Sequence, residues 1–270
     1  MSLCAFVAPL YFLGVNVLGG VHILGGVNVA FPQNASAHEQ VFLRWTHFIA
    51  GTTWLGLLYF FLLVNTPFLK ELESGTRAKV YATLMPRAMW WFRWASVVTW
   101  LAGFRYFQIL LKEEAFNAGR PMLMLHSLLI WLGVWLVAYF LIHGMLMGSA
   151  GPLGNGWLLG VLVAVVVSGA AWLVLSFLAG HEASNRTLSI AVGGGLGTIM
   201  FLNVWGMVWR CQKKLIAWNR ALAEHGTPMP PEAATLARRA YLASRMNFWL
   251  SFPLLFFMAA ASHYPFLSGK

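Results

Sequence analysis

Apolar stretches of about 20 residues or more recur along almost the whole of this 270-residue chain, and each could cross roughly 30 Å of hydrocarbon as a helix. With 59% hydrophobic and 10% charged residues, the chain is too apolar for a water-soluble globule and leaves no room for a separate soluble domain. The fold class expected is an all-α, polytopic transmembrane bundle of about seven helices. Their approximate spans are Cys4 to Ala30, Val41 to Val64, Met89 to Leu111, Pro121 to Met147, Trp157 to Gly180, Leu188 to Arg210 and Tyr241 to Tyr264. Glycines at 14, 19, 20, 25 and 26 lower the helix propensity of the first span in water, although in lipid such residues mark close helix packing.

The charges orient the bundle. Lys70, Arg77, Lys79 and Arg87 follow the second span, and Lys213, Lys214, Arg220, Arg238 and Arg239 follow the sixth. Both connections are expected inside, which puts the N-terminus inside and the C-terminus outside. The net charge of +10 is thereby absorbed by membrane topology rather than by nucleic acid. Cys4 and Cys211 have no CxxC neighbour and no Cys-x-x-Cys-His follows, so a covalently attached c-type haem is excluded. No Lys or Arg precedes the first apolar run, so it reads as a retained helix rather than a secretory signal.

Orientation also sorts the histidines. His22, His47, His126, His181 and His263 fall toward outer helix ends, His143 lies toward the inner side, and His225 is in a cytoplasmic loop. His181 and His263 sit at helix ends, where solvated rings are expected. The deeper His22, His47 and His126 are the candidate haem ligands, because an imidazole held uncharged in hydrocarbon is well suited to iron. His126 and His143 are about 25 Å apart along one helix, so both could act only with two haems, one near each face. Arg105, in the outer part of the third span, calls for an anionic partner: a haem propionate, an anionic substrate or a lipid phosphate. Arg93, among Trp90, Trp91 and Trp94, fits an aromatic and basic interface belt.

Four stretches together carry a family resemblance: Arg44-Trp45-Thr46-His47 through Trp54-Leu55-Gly56, Pro86 to Trp94, Met200 to Trp205 with Gln212-Lys213-Lys214, and Ala243 to Asn247 leading to Ala261-Ser262-His263. In that order the chain resembles the membrane domain of the bacterial urate oxidase family, whose longer members carry a C-terminal cytochrome c domain. It resembles, more distantly, membrane haem proteins of the copper-resistance and protoporphyrinogen oxidase type. The resemblance implies a division into an additional N-terminal helix and outer loop over 1–40 and a family-like membrane domain over 41–270. This sequence ends at Lys270 without a cytochrome domain. The resemblance therefore implies a separate c-type cytochrome on the outer side and other membrane subunits as partners, in a bacterial inner membrane.

Three functions follow as expectations. The first is electron transfer through haem b, one or two per chain, with His47 and His126 as axial ligands and Arg105 against a propionate. The second is urate oxidation on the same scaffold, with Arg105 or Arg245 and Trp54 or Trp100 as contacts. The third is a redox-silent accessory subunit of a respiratory or photosynthetic complex, for which the glycines at 193–195 and 197 would serve helix packing.

Overall fold

The computed structural model describes residues 21–23, 27–29, 31–148 and 155–268. The chain divides into two compact units, Met1–Phe42 and Leu43–Lys270. In the first, β1 (Val21–Ile23) pairs antiparallel with β2 (Val27–Val29), placing His22 opposite Asn28. The helix expected over Cys4 to Ala30 is therefore absent at its C-terminal part. Valine-rich triplets flanking Gly25 and Gly26 form a strand pattern, and β-branched residues favour pairing there over helix. The remainder of that span lies outside the described residues.

The other elements among the described residues are helical. Helix α1 (Ala35–Tyr59) passes through a π-helical turn, Phe60–Asn65, into α2 (Thr66–Glu71). Then follow α3 (Ser74–Asn117), α4 (Met122–Met147), α5 (Gly156–Ala179) and α6 (Asn185–Asn203). A second π-helical segment, Val204–Val208, joins α6 to α7 (Trp209–His225), and α8 (Ala233–His263) ends the bundle. Among the described residues, five continuous helical stretches are long and apolar enough to cross a membrane: Ala35–Glu71, Met122–Met147, Gly156–Ala179, Asn185–His225 and Ala233–His263. The protein is a multi-pass membrane protein. Helix α3, interrupted by Arg87, Arg93 and Arg105, falls short of that apolarity but packs among the others.

Several helices outrun their expected spans. The 44 residues of α3 extend about 66 Å, roughly twice the hydrocarbon thickness. Apolarity marks only the embedded part of such a helix, and good helix formers carry it onward into the polar layer.

Cross-helix contacts set the packing directions. Glu114 meets Ser184 and Thr187, Trp100 donates to Thr198, Trp94 touches Trp205, and Tyr81 donates to Gln212, so α3 and the α6–α7 rod run antiparallel. Helix α4 runs parallel to α6: Trp131 Nε1 donates to the Ala191 carbonyl, and Trp135 lies against Gly195. Helix α8 is antiparallel to α6, through Asn185 with Ala260 and Asn203 with Asn247. At one end of the bundle the Glu114 carboxylate accepts from the Ser184 amide and hydroxyl and from the Thr187 hydroxyl, an anionic cap on the α6 N-terminus. Toward the other end, burial pushes the Tyr81 hydroxyl up to about 12 despite its bond to Gln212.

The interior below the middle of α6 is filled. Trp135, Asn203, Asn247 and Ser251 are fully buried. Asn203 Nδ2 donates to Asn247 Oδ1 at 2.9 Å, Asn247 Nδ2 donates to the Met200 carbonyl at 3.0 Å, and the Tyr59 hydroxyl lies 2.8 Å from Ser251 Oγ. Such bonds hold helices together where lipid supplies no hydrophobic drive.

Candidate functional site

A cavity of about 550 Å³ lies in the Leu43–Lys270 unit, among α1, α3, α4, α6 and α8. Its size falls within the roughly 300–1,000 Å³ of clefts that hold small molecules and cofactors. Trp100 and Phe104 on its wall stack with centroids 4.8 Å apart and planes 10° apart. Hydrogen bonds hold the indoles in place: Trp100 Nε1 donates to Thr198 Oγ1 at 3.0 Å and Trp131 Nε1 to the Ala191 carbonyl at 2.7 Å. On the α6 side Gly193, Gly194 and Gly197 line the cavity, and a Cβ on Gly193 would press on Met258 and Phe257 of α8, at 3.0 and 3.3 Å.

His47 is the chemically distinctive wall residue. Its Nδ1 lies 2.8 Å from the Thr99 carbonyl oxygen. A carbonyl can only accept, so Nδ1 carries the proton and the lone pair of the neutral ring sits on Nε2. Gly103, one turn beyond Thr99, makes the fit possible: a Cβ there would come within 2.8 Å of His47 Cε1 and 2.9 Å of Nδ1. Thr99, Gly103 and His47 thus form a cradle that fixes both the rotamer and the tautomer of one imidazole. Trp54, also on the wall, keeps its indole N–H buried without an acceptor. Polar groups on the same walls are Arg44, Thr52, Tyr106, Ser262 and His263.

Of the haem-site residues expected from sequence the cavity takes His47 alone, and of the urate contacts it takes Trp54 and Trp100 but not Arg245. His47 lines it; His126 does not and is exposed on α4. Arg105 is likewise exposed on α3 and off the cavity wall. His143 lies toward the far end of α4, its Nδ1 3.4 Å from the Tyr139 hydroxyl, and does not share the cavity with His47. His22 is on strand β1, not on a helix. The expected pairing of His47 with His126 is therefore not brought together.

The sequence assigns Arg44, Thr99 and Gly103 no site role and reads His263 as a solvated ring at a helix end, yet all four lie at the cavity. Arg44 precedes His47 by three residues and so shares its helix face, and His263 had been sorted to the same end of the bundle. Those two signals were available; nothing in the local sequence marks Thr99 or Gly103, whose roles arise from a neighbouring helix. Among the described residues no three His, Cys, Asp or Glu side chains converge on a metal site; the histidines on the cavity wall are His47 and His263.

The sequence model of the family described as urate oxidase N-terminal matches residues 74–270. That range holds every cavity wall except the α1 face, which carries Arg44 and His47. No curated protein and no solved structure matches the chain.

Proposed function

The chain belongs to the urate oxidase N-terminal family, and on that premise we propose that it is a membrane electron-transfer protein whose His47 cavity holds a b-type haem. The observation carrying this reading is the His47 ring, pinned through Nδ1 to the Thr99 carbonyl beside a large aromatic cavity. A haem ligand commonly needs that second partner to fix its tautomer and raise its basicity. The residues fit the group: His47 would hold the iron through Nε2, and Arg44 would meet a propionate in the role first given to Arg105. The stacked Trp100 and Phe104 would exclude water. When bound, haem supplies reversible one-electron chemistry. A c-type cytochrome on the outer side of a bacterial cytoplasmic membrane is the proposed redox partner.

A second reading uses the same cavity. Arg44, Tyr106 and His263 set a cation and hydrogen-bonding groups beside stacked aromatic walls, features that a planar purine anion such as urate would use. Two assays on detergent-purified protein separate the readings. Pyridine haemochrome quantitation should return a b-type haem, and its absence would remove the first reading. Urate-dependent reduction of a c-type cytochrome would add the second, while no haem and no turnover would leave an accessory subunit.

A further inference from the structure

Away from the cavity, toward the end of the bundle that carries Arg87, Lys213 and Lys214, three indoles surround one guanidinium. Arg93 Cζ lies 4.0 Å from the centroid of the Trp209 ring and 5.9 Å from those of Trp94 and Trp205. Trp94 and Trp205 meet edge to face, with centroids 5.6 Å apart, and close the box between α3 and the π-helical segment. Stacking on an aromatic face satisfies the charge of a guanidinium but not its in-plane N–H donors. Arg93 Nε is buried with no hydrogen-bond partner, and so is Trp205 Nε1. Among the described residues no carboxylate pairs with Arg93. One box therefore holds two desolvated donors, a full positive charge and no acceptor, an arrangement that is costly to leave unmade.

From this geometry we infer that the Arg93–Trp205 box is a binding site for the phosphate of an anionic membrane lipid. A phosphate is acceptor-only and anionic, and its oxygens match the fork of an arginine. The surroundings fit a lipid. Trp90, Trp91 and Trp94 are exposed beside the box, as in an interfacial aromatic belt, and Arg93 lies six residues beyond Arg87, where α3 passes from charged to apolar sequence. Exposed Trp91, Trp94, Val98 and Leu101 then continue along one face of α3, a track on which an acyl chain can lie. The lipid joins α3 to the start of α7 at the level where the two helices leave the apolar layer.

Native mass spectrometry of the full chain in neutral detergent, titrated with phosphatidylglycerol or phosphatidylcholine of the same acyl composition, tests this. The wild type should retain one phosphatidylglycerol at least about tenfold more tightly than phosphatidylcholine. That preference should vanish in Arg93→Gln and weaken in Trp205→Phe, which keeps the ring and removes the donor. Competition of the bound lipid by millimolar inorganic phosphate would reassign the site to free phosphate and overturn the lipid assignment. Equal retention of the two lipids by the wild type would overturn the assignment to an anionic lipid, and an undiminished preference in both folded variants would overturn the site itself.

Discussion

Gly194 and Gly195 are neighbours on α6, yet each answers to a different region of the molecule. A Cβ on Gly195 would lie 1.8 Å from the buried Trp135 ring, so that glycine is a socket already filled by its neighbour. A Cβ on Gly194 would meet Trp131 at 3.5 Å, an ordinary contact, and Gly194 lines the His47 cavity. One run of small residues thus meets two surroundings: at Gly195 it lets helices close completely on Trp135, and at Gly194 it leaves room for an ordinary contact beside the cavity. The filled region is sealed by Asn203, Asn247 and Ser251, whereas the open region is bounded by hydrogen-bonded indoles and a pinned imidazole. Small residues in a membrane helix are therefore not by themselves a sign of packing; what faces them decides.

Four substitutions test that division, in descending order of effect on stability. Gly195→Ala should cost about 3 kcal/mol or more, since the buried indole of Trp135 must move; thermal unfolding in detergent would read this, and a wild-type midpoint would refute the socket. Asn247→Leu breaks the buried amide pair and should cost about 1–2 kcal/mol in a mixed-micelle unfolding titration. Gly103→Ala drives a methyl into the His47 ring, which can yield by rotating, so a loss of about 1 kcal/mol is expected. Its larger consequence is at the site: ligand binding through His47 should fall while the helical circular dichroism holds. Gly194→Ala should stay within about 0.5 kcal/mol of wild type, and a marked loss would show that the cavity side is packed as tightly as the Trp135 side.

The helical bundle was legible in the sequence because hydrocarbon demands long apolar runs, and five such runs are the spans Ala35–Glu71, Met122–Met147, Gly156–Ala179, Asn185–His225 and Ala233–His263. Helix ends were not, because hydropathy is blind to the charged continuations of α3 and α7. The paired strands at Val21–Ile23 and Val27–Val29 escaped a reading that treated every apolar run as helix. At the site, His47 stood out because a histidine deep in an apolar run is conspicuous. His126 stood out equally and is on the exposed surface of α4, since apolar sequence around a histidine fixes its depth but not the direction in which it faces. Gly103 and Thr99 were invisible, as their parts are defined only by the ring of another helix.

The most direct test is the visible absorption spectrum of reduced protein, with His47→Ala and His126→Ala purified beside the wild type. A b-type signal is expected in wild type and His126→Ala, and its loss in His47→Ala at undiminished expression. A spectrum unchanged by His47→Ala, or one abolished by His126→Ala, would contradict the His47 assignment.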